Sequence, residues 1–122
     1  MSKKTVIVGA TPNQARYAYA AAELLTEYDH PIVPLGIKRG AVFGQEILDI
    51  RKKPEIADVD TITLYIGPRH QPEHEDYLIG LNPKRILFNP GTENATFKRK
   101  AEAAGIETEE ACTLVLLRMG QY

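Results

Sequence analysis

Three basic side chains follow the first two apolar runs of the sequence, at positions where they could bind phosphate. Arg16 lies beyond the run Thr5–Val8, and Lys38 and Arg39 lie just beyond "PIVPL" at 31–35. Guanidinium and ammonium groups recognise phosphate oxygens through charge-assisted hydrogen bonds. Asn13, close to Arg16, adds an amide. The alternative is that Asn13 and Arg16 serve only a helix start, and that the basic pair is a solvated loop.

Two other residue patterns suggest chemistry less strongly. His70 and His74 are four residues apart, a spacing that binds zinc on a helix. However, Pro72 lies between them at an expected helix start, and no third ligand is evident. Cys112 is the only cysteine, and no histidine is near it in sequence, so we expect a structural thiol. The sequence contains no acid–base pair, G-x-S-x-G elbow or Walker A loop. We therefore predict neither catalytic residues nor a metal site.

Composition restricts the classes of partner. The 122 residues are a usual size for one domain, which we place at 1–122. A net charge of -1 provides no global attraction for nucleic acid or for a membrane surface. The opening "MSKKTVIVGA" has an apolar run of about five residues, which is short for a signal peptide. We expect a cytoplasmic protein with a small-molecule ligand, and its protein partner stays unknown.

Apolar, β-rich runs alternate with helical patterns along the chain. Strands are predicted at 5–8, 31–35, 60–67 and 85–89, with a short edge strand at 106–108. Helices are predicted from near Asn13 to Tyr28, from Pro72 to about Gly80, at 95–104 after an Asn94 cap, and at 113–119. A short turn or helix is predicted at 46–51. This alternation predicts an α/β, Rossmann-like three-layer sandwich with a parallel sheet of about five strands, the first strand central.

In such folds, ligands bind beyond the carboxyl ends of the strands. The loops there are 9–13, 36–44, 67–71 and 89–94. A strand leading into a helix suits a pyrophosphate, but Gly9 is a single glycine where dinucleotide sites have G-x-G-x-x-G. The second strand also lacks the acidic residue that binds the ribose of NAD. Lys38 and Arg39 instead favour a ligand with an additional phosphate, either NADP or coenzyme A (CoA).

Four segments resemble one family: "VIVGATPNQARYAY", "PIVPLGIKRGAVFGQEI", "ILFNPGTEN" and "AEAAGIETEEACTLVL". Their order is similar to that in the small stand-alone CoA-binding proteins, whose fold is similar to the CoA-binding Rossmann domain of the succinyl-CoA synthetase alpha subunit. The resemblance extends over essentially the whole chain. It implies a binding module for CoA or an acyl-CoA. Relatives among the ligases carry a phosphorylated histidine in a separate domain. We expect no such domain here, and therefore no turnover of its own.

Two alternatives to the binding module remain open: a small oxidoreductase using NADP or another nucleotide, and an interaction protein that retains the fold without a ligand. The candidate ligand-binding residues come from the loops and from the resemblance. They are Gly9, Ala10, Thr11, Pro12, Asn13, Arg16, Pro34, Lys38, Arg39, Gly44, Gly67, Pro68, Asn89, Gly91 and Asn94.

Overall fold

The computed structural model describes residues 2–122. The strands are β1 (Thr5–Val8), β2 (Ile32–Gly36), β3 (Ala41–Val42), β4 (Gln45–Glu46), β5 (Leu48–Asp49), β6 (Thr61–Leu64), β7 (Arg85–Phe88) and β8 (Glu107–Glu110). The helices are α1 (Tyr17–Glu27), α2 (Glu75–Gly80), α3 (Ala95–Ala103) and α4 (Thr113–Arg118), with 3₁₀ turns at Ile50–Lys52, Pro68–His70 and Pro72–His74.

Six strands form one parallel sheet in the order β5-β2-β1-β6-β7-β8. Strand β1 lies between β2 and β6, so the predicted α/β Rossmann-like fold with an inner first strand is confirmed. The sheet has one strand more than the five expected, because β5 lies within the segment 46–51 that was predicted as a turn or helix. A two-residue strand has no room for an alternating pattern, so pairing with β2 alone defines it.

Helices cover both faces of the sheet and create three layers. On one face, Leu78 of α2 and Phe97 of α3 pack on the sheet, and Phe97 meets Phe88 edge to face with ring centroids 5.5 Å apart. On the other face, Ala18 and Leu25 of α1 and Leu117 of α4 pack against Ile7. All side chains of β1, β6 and β7 are buried. This two-sided burial explains their nearly continuous apolar runs.

The α4 side of the sheet also contains a buried polar cluster. The hydroxyls of Thr63 and Thr113 hydrogen-bond at 2.8 Å. Asn89 Nδ2 donates to Thr63 Oγ1 and to the Leu64 carbonyl, and its Oδ1 accepts from the Thr113 N–H. Asn89 therefore joins the ends of β6 and β7 to the start of α4.

Two local predictions need correction. The second strand was predicted at 31–35, with a proline near each end, but β2 is Ile32–Gly36 and Pro34 lies inside it, opposite Ile7. The Pro31 and Leu35 carbonyls accept from β1, so alternation turns Pro34 toward β5, which pairs with β2 only from Leu35 onward. The missing proline N–H therefore breaks no ladder bond.

The loop after β1 is also longer than the predicted 9–13. Eight residues, Gly9 to Arg16, separate β1 from α1, and Arg16 is the N-cap. Asn13 does not cap the helix, because its Oδ1 accepts from the Ala15 N–H in a local turn. In the loop after β7, Asn94 caps α3 as predicted, accepting from the Phe97 N–H.

The second half of the predicted loop 36–44 belongs to a small hairpin that ends at Glu46. Strands β3 and β4 pair antiparallel around Phe43 and Gly44, which have φ of 48° and 81°. Positive φ at both central residues is typical of the two-residue hairpin turn. The edge strand β8 lies at Glu107–Glu110, slightly later than the predicted 106–108. No helix in residues 2–122 is long and apolar enough to cross a bilayer.

Candidate functional site

A cleft of about 880 Å³ opens at the carboxyl ends of four neighbouring strands. Its walls come from the loops after β1, β2, β6 and β7, with the first turn of α1 at one side. The chain runs outward from β1 to β2 and β5, then returns to the opposite side of β1 for β6. The cleft therefore lies at the point where the strand order reverses, the usual ligand position in this class of fold. Its size is typical of a small-molecule or cofactor site.

Gly9 directly follows β1, between the carboxyl ends of β2 and β6. Its φ is +92°, and a Cβ there would lie 3.0 Å from Ile66 Cγ2 and 3.2 Å from the Tyr65 carbonyl carbon and oxygen. Gly36, at the end of β2, has a similar constraint, since its Cβ would lie 3.3 Å from the Ala10 backbone. The absent side chains allow the β1 loop to pack closely between the ends of β2 and β6.

The backbone of the β1 loop leaves some donors free. The N–H groups of Gly9 and Ala10 both donate to the Leu35 carbonyl. Among the described residues, the N–H groups of Thr11, Tyr17 and Ala18 have no acceptor within hydrogen-bond distance. All three residues line the cleft. These free donors lie at the loop and the start of α1, where the helix dipole favours an anion.

Charge in the cleft is opposite in sign to that of the whole chain. Arg16, Lys38 and Arg39 line it, whereas Glu73 is the one acidic residue among the lining side chains. Within residues 2–122, none of the three cations has an acidic partner within 4 Å. The cleft therefore carries an excess of uncompensated positive charge on a chain of net charge -1.

The loops after β6 and β7 form the opposite wall. It contains His70, Glu73 and His74, with His74 Nε2 3.7 Å from Glu73 Oε1, and the backbone of Gly91 and Thr92. The two histidines line the cleft. Within residues 2–122, however, no group of three His, Cys, Asp or Glu side chains could hold a metal ion.

Tyr65 lies at the floor of the cleft, with its hydroxyl turned inward. The hydroxyl lies near Thr63 and Thr113, which hydrogen-bond to each other. It is buried and has no hydrogen-bond partner within residues 2–122. Burial raises the pKa of Tyr65 to about 12, and the nearby threonine hydroxyls offset only part of this effect. Tyr65 is therefore neutral at physiological pH. Cys112 precedes α4 and does not line the cleft.

The structure brings ten of the fifteen candidate residues together. The ten that line the cleft are Gly9, Ala10, Thr11, Pro12, Asn13, Arg16, Lys38, Arg39, Gly67 and Gly91. The five that do not are Pro34, Gly44, Pro68, Asn89 and Asn94.

These five have other positions or roles. Pro34 lines a smaller depression beside β5, and Gly44 forms the tip of the β3–β4 hairpin. Pro68 begins a 3₁₀ turn. Asn89 and Asn94 hold the loops and helices behind the cleft, because their amides are engaged by protein atoms. Residues at the ends of strands therefore divide into those that face the cleft and those that support it.

Several lining residues were not among the candidates. They are Val8, Tyr17, Ala18, Gly36, Ile37, Ile50, Tyr65, Ile66, His70, Glu73, His74, Pro90 and Thr92. Ten of these thirteen lie within two residues of a candidate, so extending each loop by a residue or two would have found them. Glu73 and His74 lie further along the loop after β6, in the 3₁₀ turn Pro72–His74. Ile50 is different, because it reaches the cleft from the 3₁₀ turn after β5, in a segment that was predicted as a turn or helix but was not placed at the site.

Solved structures of other proteins have the same fold as this chain. A crystal structure of an uncharacterized protein has a TM-score of 0.96 and 46% identity, covering 100% of this chain and 99% of its own. Cell-free ID.343 from Thermus thermophilus has a TM-score of 0.83 at 19% identity, covering 99% and 91%. A hypothetical protein from Pyrococcus horikoshii OT3 has a TM-score of 0.79 at 24% identity, covering 96% and 83%. The last two, at such low identity, support the fold alone.

A search of curated proteins finds no match. The sequence model of the CoA binding domain, in contrast, matches residues 3–118, nearly the whole chain. This agrees with the resemblance of the four sequence segments and with a cleft at the strand reversal. The chain belongs to the CoA binding domain family.

Proposed function

We propose that this protein is a binding module for coenzyme A or an acyl-CoA, without catalytic turnover of its own. The observation that carries the proposal is the uncompensated positive charge of the cleft, provided by Arg16, Lys38 and Arg39 on a slightly acidic chain. CoA carries a pyrophosphate and a 3′-phosphate at one end. A cleft with this charge and a volume of about 880 Å³ suits such a ligand.

The phosphates are assigned to two places on the same wall. The pyrophosphate lies at the β1 loop and the start of α1, where the N–H groups of Thr11, Tyr17 and Ala18 are free and Arg16 is close in sequence. The 3′-phosphate lies at Lys38 and Arg39, after β2. Recognition is then distributed over two loops, which explains how the site can work with one glycine in the first loop.

The test compares CoA with 3′-dephospho-CoA by titration calorimetry. Dephospho-CoA should bind about tenfold to a hundredfold more weakly, the value of a charge-assisted hydrogen bond. Replacing Lys38→Ala together with Arg39→Ala should remove this difference. A matched control is Lys98→Ala with Arg99→Ala on α3, which removes the same charge from residues that do not line the cleft. The difference between the ligands should also decrease with added salt.

Equal affinity of the unmodified protein for both ligands would remove the role of Lys38 and Arg39. The same basic pair could accept the 2′-phosphate of NADP, so NAD, NADP and ATP belong in the same titrations. Tighter binding of NADP than of CoA, together with reduction of NADP detected by absorbance, would favour the oxidoreductase. Binding of none of these ligands would favour an interaction protein.

A further inference from the structure

Gln71 is a fully buried polar residue between the two cleft-forming loops on the β6 and β7 side. It separates the 3₁₀ turns Pro68–His70 and Pro72–His74 and has 0% exposure. Glutamine is seldom fully buried, and when it is, its amide needs partners on both its oxygen and its nitrogen. Gln71 does not line the cleft, so its burial does not reflect a direct ligand contact.

The Gln71 amide makes three hydrogen bonds. Its Nε2 donates to the Ile66 carbonyl at 3.0 Å and to the Thr92 carbonyl at 2.8 Å. Its Oε1 accepts from Asn94 Nδ2 at 2.9 Å. Two backbone carbonyls require a group with two donor hydrogens, which a carboxylate or a hydrocarbon cannot supply. The Oε1 atom must also accept from Asn94, and a primary amide provides both the two donor hydrogens and this acceptor.

The bridged carbonyls belong to residues that line the cleft. Ile66 follows β6 and Thr92 follows β7, so one side chain holds both loops at a fixed separation. The connection extends further, because the Thr92 hydroxyl donates to the Asn89 carbonyl and Asn94 caps α3. We infer that Gln71 is a positioning residue for this half of the cleft, and that this half receives the pantetheine end of the ligand.

The assignment of the pantetheine end rests on the proposed function. CoA has its phosphates at one end and an uncharged pantetheine arm at the other. The cations lie at the β1 and β2 loops, whereas the β6 and β7 loops offer Ile66, Gly67 and Thr92, with Glu73 beside His74. The uncharged arm therefore matches the half that Gln71 holds. A disturbance of that half should weaken contacts with the arm more than contacts with the phosphates.

The experiment measures two ligands on each variant by titration calorimetry. One ligand is CoA and the other is 3′-phospho-ADP, which is CoA without the pantetheine arm. In Gln71→Leu, CoA should bind about tenfold more weakly, because the two carbonyls lose their donors and the loops shift. Binding of 3′-phospho-ADP should change by no more than about twofold, because Gln71 hydrogen-bonds to no residue of the β1 or β2 loop. The control Gln45→Leu, on the exposed strand β4, should leave both affinities unchanged.

The ratio of the two affinities separates positioning from folding. A variant that is partly unfolded loses both ligands in the same proportion, so the ratio stays constant. Gln71→Glu provides a second test at nearly the same volume. Its ionised carboxylate cannot donate to either carbonyl, but its protonated form can donate to one. At each pH, the ratio of CoA affinity to 3′-phospho-ADP affinity is compared with that of the unmodified protein. In Gln71→Glu this ratio should therefore approach the unmodified value as the pH is lowered.

The possible outcomes are distinct. A selective loss of CoA in both variants, with recovery of Gln71→Glu at low pH, supports the inference. Unchanged affinity ratios in variants that melt cooperatively overturn the inference about Gln71, while the proposed binding of CoA still stands. Equal affinity of the unmodified protein for CoA and 3′-phospho-ADP also overturns it, because the arm then contributes nothing. Failure of unmodified protein to bind CoA removes the proposed function and this inference together.

Discussion

Gly9 has a structural role that differs from the one suggested by dinucleotide-binding loops. In those loops, glycine allows the backbone to approach the pyrophosphate. Here the Gly9 N–H is engaged by the Leu35 carbonyl, and the position of its missing Cβ faces Tyr65 and Ile66. Gly9 therefore allows the β1 loop to pack on the end of β6. The site depends on Gly9 through the shape of the cleft floor.

Gly9→Ala should destabilise the fold for two reasons. The left-handed backbone costs about 1–2 kcal/mol for a residue with a side chain. The new Cβ would also lie 3.0–3.2 Å from Ile66 and Tyr65 atoms, adding about 1–3 kcal/mol of overpacking. Gly44→Ala is the matched control, because Gly44 has φ +81° and no atom within 4 Å of its Cβ position. Urea unfolding should thus give a larger loss for Gly9→Ala than for Gly44→Ala.

Equal losses in the two variants would mean that the contact with β6 contributes nothing.

The structural role of Gly9 also decides which variants are suitable for ligand-binding tests. Gly9→Val, an obvious way to block a pyrophosphate, would disturb the fold before it revealed anything about the ligand. Substitutions of Lys38 and Arg39, which are exposed and unpaired among the described residues, do not have this problem.

At the scale of elements, the sequence predicted the strands and helices whose apolar residues are buried in the core. Strands β1, β6 and β7 are buried on both faces, so their apolar runs were visible, and helix α3 carried its own cap and its C-terminal Gly105. Strand β8 reads "ETEE" and is mostly exposed, so only its pairing with β7 defines it. Strand β5 and the β3–β4 hairpin consist of two-residue strands. Such pairings depend on tertiary contacts that no local pattern contains.

The same reasoning explains the outcome at the site. Loops at the ends of strands were identified correctly from Gly, Pro and Asn residues, and ten candidates do line the cleft. The direction in which a loop residue points depends on its hydrogen bonds. Asn89 and Asn94 looked like ligand contacts because they follow a strand and precede a helix. Their amides instead bond to Thr63 and Gln71.

Asn94 connects helix α3 to the loop network through two separable contacts. Its Oδ1 caps α3, and its Nδ2 donates to buried Gln71. Asn94→Ala should lose both and reduce the free energy of unfolding by about 1–3 kcal/mol. Asn94→Ser keeps a capping oxygen but cannot reach Gln71 with an amide, so it should lose roughly half as much. Chemical denaturation measures both, with exposed Thr96→Ala as a control within α3. Identical losses for Ala and Ser would contradict the separate contribution of the cap.

At the scale of the whole molecule, three tyrosines in different regions link stability to alkaline pH. Burial raises the pKa of Tyr65 to about 12 and also raises the pKa of Tyr77 and of Tyr122. The unfolded chain has tyrosine pKa values of about 10. The neutral phenol is therefore favoured by folding. This contribution is fully present below pH 10 and is lost as the pH rises through the folded pKa.

Among the three tyrosines, the pKa shift of Tyr65 is large enough to give the size of its effect on stability. With values of about 10 unfolded and about 12 folded, its ionisation should reduce the free energy of unfolding by about 1.4 kcal/mol at pH 11. Urea unfolding at pH 8 and pH 11 measures this loss. In Tyr65→Phe the loss should be smaller by that amount, because no phenol remains to ionise beneath the cleft. Tyr17→Phe, at a position 75% exposed, should show the same pH dependence as the unmodified protein. An unchanged pH dependence in Tyr65→Phe would mean that the hydroxyl reaches solvent in the folded state, with water entering between the sheet and α4.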